Sequence, residues 1–168
     1  LGLIGGSIAI DLRKAGISTA LTGVELNATH AQEALSLNLV DDVKPLHEAV
    51  THADVVILAI PVSAIHAVLA QVLDGISNHA VVIDTGSTKS SICKAVAQHP
   101  RRAQFVAAHP IAGTENSGPA AAFAGLFVNK TNIICESEKS SSSALAVTNK
   151  IFDALQMRTI LMDAEEHD

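Results

Sequence analysis

The segment Leu1-Gly2-Leu3-Ile4-Gly5-Gly6-Ser7 constrains this chain more than any other stretch. In G-x-G-x-x-G the first glycine makes a tight turn, the second lets a pyrophosphate approach the backbone, and the third packs helix against strand. Gly2 and Gly5 stand at the second and third positions, with Leu3 and Ile4 between them, and the first glycine is expected one residue ahead of Leu1. Ser7 leads into an apolar run, Ile8 to Ala15, that reads as a helix with its N-terminal amides and dipole toward a phosphate. Glycines alone are equally compatible with a flexible turn of no function. Glu25 decides between these readings. It lies twenty residues after Gly5, where a carboxylate is expected to hold the ribose 2′-hydroxyl of NAD. Leu26, Asn27 and Ala28 bring no arginine for a 2′-phosphate, so NAD is favoured over NADP.

Composition sets the outer limits. A chain of 168 residues, 48% hydrophobic, buries one substantial core and suits one domain. A net charge of −6 offers no basic footprint, which sets nucleic acid aside. The two cysteines, Cys93 and Cys135, form neither a disulfide framework nor a metal spacing and suit a reducing cytoplasm. There is no signal peptide and no apolar span of membrane length, so no membrane role is expected. The lack of tyrosine removes a Tyr-x-x-x-Lys catalytic pair. The eight histidines are scattered without H-x-x-x-H or H-E-x-x-H spacing, so no metal is assigned.

Strand-length apolar runs alternate with helix-period segments, the pattern of an α/β, doubly wound, mostly parallel sheet of Rossmann type. After the first helix come a strand over 19–25, a helix over 28–37, a short strand near 40–43 and a short helix around 46–50. A buried strand over 53–60 stops at Pro61, and Ser63 is expected to cap a helix over 64–74. Strand 80–84, helix 89–98, strand 105–108 and strand 131–136 follow. The serines of 140–143 open a helix to about residue 155, and strand 158–162 closes the sheet. The central first strand of such a sheet should precede Leu1, so the chain is expected to begin part-way through its domain.

Ligands of open α/β sheets bind beyond the carboxyl ends of the strands. The polar clusters fall there: Glu25, then Pro61-Val62-Ser63, with Ile60 and Pro61 expected beside the cofactor, then Asp84-Thr85-Gly86-Ser87-Thr88-Lys89, then His109-Pro110-Ile111-Ala112-Gly113-Thr114-Glu115. His109 ends an apolar strand, where an imidazole can take a proton from a hydroxyl while hydride leaves the adjacent carbon. The competing reading is a partly buried histidine satisfied by backbone. Ser87 is placed to orient that ring or touch a nicotinamide, and also to cap the helix over 89–98. Asp84 is expected to fix its turn, and Lys89 to be a solvated first-turn lysine rather than a substrate ligand. Gly113 and Gly118 permit a tight loop that turns Thr114 or Glu115 toward a substrate. The run Glu165-Glu166-His167-Asp168 reads as an acidic helix start.

Taken together, Gly2–Ser7, Asp84–Lys89 and His109-Pro110-Ile111-Ala112-Gly113-Thr114-Glu115-Asn116-Ser117-Gly118 resemble the prephenate dehydrogenase family, including its arogenate-using members. Leu126-Phe127 and Glu166-His167-Asp168 extend the resemblance through essentially the whole chain. It implies NAD-dependent oxidative decarboxylation in tyrosine biosynthesis, giving 4-hydroxyphenylpyruvate from prephenate or tyrosine from arogenate. It also implies that His109 is the catalytic histidine, that Ser87 positions it beside the nicotinamide, and that the Gly2–Ser7 turn binds pyrophosphate. A Rossmann domain over 1–162 is then expected, with 163–168 starting a linker helix. That helix would lead to a helical domain supplying a homodimer interface and an arginine for the substrate carboxylates. Arg101 and Arg102 precede a strand, at the rim away from the crevice, and do not replace that arginine. A β-hydroxyacid-type dehydrogenase does not predict His109-Pro110, and a non-catalytic NAD sensor needs neither His109 nor Ser87.

Overall fold

Apolar side chains alternate along the strands and so give one sheet two buried faces, which sets the layering of the molecule. The computed structural model describes residues 1–168. Two short strands, β1 (Thr22–Gly23) and β2 (Asp42–Val43), pair in parallel as a small sheet. Five more, β3 (Val55–Leu58), β4 (Val81–Asp84), β5 (Phe105–Pro110), β6 (Thr131–Cys135) and β7 (Arg158–Met162), form the main sheet in that order. Between and around them run α1 (Leu3–Lys14), α2 (Ala28–Ser36), α3 (Leu46–Thr51), α4 (Val62–Gly75), α5 (Ser90–Val96), α6 (Ser142–Ala154) and α7 (Ala164–His167).

Val82, Phe105, Ala107, Ile133 and Cys135 face α4 and α5, where they meet Ile65, Leu69, Leu73, Ile92 and Val96. Val81, Ile83, Val106, Ala108 and Ile134 face the other way, onto Leu3, Ile8 and Leu12 of α1 and Ile151 and Phe152 of α6. Each fully buried side chain of this size contributes about 1.5–3 kcal/mol, so both helical layers are held by burial rather than by propensity.

Strands β3, β4 and β5 are parallel, whereas β6 runs antiparallel to β5 and β7 runs parallel to β6. The reversal at β6 has a local cause. The segment between β5 and β6 holds only a 3-10 turn at Pro119–Ala121, and a parallel return needs a full crossover helix. The small sheet and the main sheet share no ladder. That explains why the strand expected over 19–25 is only two residues long, since β1 is paired along β2 alone.

Three helix starts differ from the sequence reading. The first helix begins at Leu3, so Gly5 and Gly6 lie inside it and only Gly2 is the extended residue ahead of it. Helix α4 begins at Val62, with Ser63 inside rather than at the cap. Proline fixes the φ of Pro61, and its carbonyl accepts the amides of Ala64 at 2.9 Å and Ile65 at 3.0 Å. Helix α5 begins at Ser90 and takes its cap from a residue near the far end of the chain. The serine-rich start of α6 is as expected, with the Ser141 hydroxyl accepting from the Ala144 amide.

Candidate active site

The parallel strands β3, β4 and β5 open onto one rim, and most of the predicted site residues stand on it. Ile60 and Pro61 follow β3, Ser87 follows β4, His109 is the penultimate residue of β5, and Thr114 and Glu115 lie in the loop after it. Glu25 follows β1 of the small sheet and lies beside the first glycine segment, with its Oε2 2.5 Å from the Leu1 nitrogen. Its Oε1 accepts the Asn27 amide at 2.9 Å.

No side chain caps α1, so the amides of Leu3, Ile4 and Gly5 have no intrahelical acceptor. A Cβ built on Gly2 meets no atom within 4 Å, which leaves the helix end open to an approaching group. Gly5 packs against the end of β3 as the motif suggests, and Gly6 adds a still closer approach to the β5–β6 loop. A Cβ on Gly5 would lie 3.2 Å from the Ala59 Cβ, whereas one on Gly6 would lie 2.6 Å from the Ala122 Cβ. Open amides at a helix N-terminus and a carboxylate beside them fit a dinucleotide, with pyrophosphate at the first and ribose at the second.

Below the other end of the rim lies a polar element that sequence reasoning misplaced. Lys89 is neither solvated nor a substrate ligand: its side chain is fully buried and ion-paired with Asp84. Asp84 Oδ2 also accepts the Gly86 amide at 3.0 Å, and Oδ1 accepts the Ala108 amide at 3.2 Å. Lys89 Nζ donates to the Ala108 carbonyl at 2.8 Å. Asp84 therefore fixes its turn as expected, and with Lys89 it holds both polar groups of the residue that precedes His109.

The His109 ring is half-buried, and its Nδ1 lies 2.9 Å from Nε2 of His167. The rings meet edge to face, with centroids 5.1 Å apart and planes at 67°. His167 Nδ1 lies 2.8 Å from Asp168 Oδ1. The same carboxylate caps α5, accepting the amides of Lys89 at 2.7 Å and Ser90 at 2.9 Å. Burial, then the neighbouring His167 and Lys89, push the His109 imidazole down to about 4. Burial opposes ionisation of Asp168, but hydrogen bonds from His167 and the two amides bring its carboxyl down to about 2. The imidazole is therefore neutral at physiological pH, the form that accepts a proton.

Ser87 is exposed, and no hydrogen bond joins it to His109; its expected capping role belongs to Asp168. Thr114 and Glu115 are both exposed, and the Thr114 hydroxyl accepts the Asn116 amide at 3.2 Å. Next to His109 opens a cavity of about 350 Å³ lined by His109, Ile111, Ala112, Gly113, Leu126 and Lys130. Sequence reasoning missed Lys130. Its position just ahead of β6, antiparallel to β5 and thus level with the end of β5, was the available signal. Arg101 and Arg102 precede β5 at the opposite rim, where Arg102 pairs with Glu136.

A sheet of this topology with an open helix N-terminus, a nearby carboxylate and a strand-end histidine defines a Rossmann-type nucleotide-binding domain of the dehydrogenase class. The family model described as "Prephenate dehydrogenase, nucleotide-binding domain" matches residues 8–161, and the chain belongs to this family. It is 34% identical over 171 residues to the prephenate dehydrogenase of Bacillus subtilis, covering 100% of this chain and 46% of that protein. Among solved structures it is similar to prephenate dehydrogenase from Aquifex aeolicus in complex with hydroxyphenyl propionate and NAD+. The TM-score is 0.90 and the identity 26%, over 99% of this chain and 58% of that one. It is also similar to arogenate dehydrogenase of Synechocystis, with a TM-score of 0.89 and 30% identity over 99% of this chain and 59% of that one. The chain thus spans about half the length of these relatives.

Proposed function

We propose that this chain is the cofactor and proton-transfer half of an NAD-dependent dehydrogenase that oxidatively decarboxylates prephenate or arogenate. The observation that carries the reading is a strand-end histidine, His109, lining a cavity on the rim that also holds the uncapped N-terminus of α1. Gly2 and the amides of Leu3, Ile4 and Gly5 would hold the pyrophosphate, Glu25 the ribose, and Ile60 and Pro61 the wall beside the nicotinamide. NAD, when bound, supplies the hydride acceptor for the ring carbon bearing the hydroxyl. His109 takes the hydroxyl proton as that carbon is oxidised, the ring carboxylate leaves as carbon dioxide, and the ring becomes aromatic. Ser87, at the β4 end of the rim, would touch the nicotinamide, and Thr114 and Glu115 would lie along the substrate loop.

Three further parts belong to the same proposal. A strand ahead of Leu1 would pair with β1 and β3, each of which is the edge strand of its own sheet. Helix α7 would lead into a helical domain that forms a homodimer and carries a cation for the substrate carboxylates; the greater length of the relatives supports a further segment there. A cytoplasmic setting goes with two buried free cysteines, and no helix is long and apolar enough to cross a membrane.

The test is NADH formation by the complete protein with prephenate and, separately, with arogenate. Turnover of either is expected, and the ratio names the preferred substrate. NAD binding without turnover of either defeats the proposal and favours a sensor.

A further inference from the structure

The Asp168–His167–His109 chain is not explained by packing. Three polar side chains stand in sequence across two elements far apart in the chain, and the middle one, His167, is only 4% exposed. Strand β7 ends level with Ala107, and α7 then turns back along the α5 face, which brings His167 up to the strand-end histidine. The anchor is rigid, because the Asp168 carboxylate is held by two α5 amides.

We infer that His167 and Asp168 are positioning residues that hold His109 in its Nδ1–H tautomer, leaving Nε2 bare to accept the substrate proton. This rests on the proposed role of His109. A carboxylate only accepts, so Asp168 requires a proton on Nδ1 of His167. A neutral His167 then has a bare Nε2, which accepts from Nδ1 of His109 at 2.9 Å. One proton remains on the His109 ring, at Nδ1, and the lone pair is at Nε2. When Nε2 captures the substrate proton, the positive charge on the two rings faces the Asp168 carboxylate. The other charges near the pair are the buried Lys89 behind it and Lys130 across the cavity. A carboxylate that fixes the tautomer of a catalytic imidazole is worth orders of magnitude in rate when its loss reverses the tautomer.

The experiment uses the complete protein labelled with 15N-histidine, with the His109 signals assigned by their loss in His109→Asn. In the unsubstituted protein, His109 is expected to carry its proton on Nδ1. Asp168→Asn, with its oxygen on Ser90, keeps that half of the α5 cap, gives up the Lys89 amide, and presents an amide N–H to His167 in place of Oδ1. It is expected to move the His109 proton to Nε2 and lower kcat by ~10²–10⁴-fold with KM for NAD unchanged. His167→Leu is expected to lose kcat similarly. His167→Gln, which can accept from His109 and donate to Asp168, is expected to retain kcat within about tenfold and keep the tautomer. An Nε2–H tautomer in the unsubstituted protein overturns the inference, as does an unchanged tautomer and kcat in both Asp168→Asn and His167→Leu. No turnover by the unsubstituted protein defeats the proposed function instead, and the tautomer remains readable from the 15N shifts.

Discussion

Lys89 and Asp84 form an ion pair in which neither side chain has any exposure to solvent, and each also binds the backbone of Ala108. Two charges taken fully out of water need every lone pair and proton matched, and here they are spent on the residue next to His109. The pair thus fixes the strand end from which the imidazole projects.

Lys89→Met is therefore expected to destabilise the protein by about 3–5 kcal/mol, because it leaves Asp84 buried without its partner. Urea denaturation of the complete protein reads this. The double change Asp84→Asn with Lys89→Met is expected to recover part of the loss, because it removes the unpaired charge. Unchanged stability in the single variant would show that Asp84 and Lys89 are not both ionised in the folded state.

The alternation of apolar strands and helices, the strand-end placement of the polar clusters and the family resemblance were all legible in the sequence, since each depends on local period or motif. What was hidden depends on residues distant in sequence. Asp84 stands only five residues before Lys89, but that spacing alone does not show that the lysine turns into the core, where its other partner is the Ala108 carbonyl on β5. Nothing near Ser90 indicates that its helix is capped by Asp168, 78 residues later. The close approach of Gly6 to Ala122 was hidden because motif spacing says nothing of a loop residue 116 positions away. Lys130 was missed because its importance comes from the antiparallel return of β6, and no periodicity encodes strand direction.

The depressed pKa of His109 fixes a pH window. Its ordinary value is 6.5 and its folded value about 4, so between these the unfolded chain binds more protons. The contribution of His109 is thus complete above pH 6.5 and is lost as the pH falls toward about 4. Asp168 acts lower down: its carboxyl drops from 3.8 to about 2, so its contribution is held above 3.8 and lost on the way to 2. Thermal melts of His109→Asn are expected to fall less between pH 6.5 and 4 than those of the unsubstituted protein, with the two declining alike below that window. Equal slopes in the upper window would place the acid sensitivity elsewhere.

The two glycines Gly2 and Gly6 should separate binding from folding. A Cβ on Gly6 would lie 2.6 Å from the Ala122 Cβ, where neither atom is the end of a flexible side chain. Gly6→Ala is expected to cost about 1–3 kcal/mol of stability through overpacking of α1 against the Pro119–Ala121 turn. A Cβ on Gly2 meets nothing. Gly2→Ala is expected to leave the melting temperature unchanged and weaken NAD, because the added methyl occupies the open approach to the α1 amides. Calorimetric titration with NAD beside thermal melts of both variants checks this. A Gly2→Ala variant with full NAD affinity would move the pyrophosphate away from this helix end.

Lys130 is exposed and lines the cavity beside His109. Its backbone is fixed at both polar groups, its amide donating to the Phe127 carbonyl and its carbonyl accepting from Arg158. A cation so placed suits a substrate carboxylate, and a charge-assisted hydrogen bond of this kind is worth about 1.5–3 kcal/mol. Lys130→Met is accordingly expected to raise KM for prephenate or arogenate by about tenfold or more, while kcat and KM for NAD stay near their original values. Lys130→Arg, which keeps the charge, is expected to hold the rise to a few-fold. Binding lost equally for substrate and nucleotide would point to a general loss of structure. An unchanged KM for substrate would make Lys130 a solvated surface residue and assign both carboxylates to groups elsewhere in the complete protein.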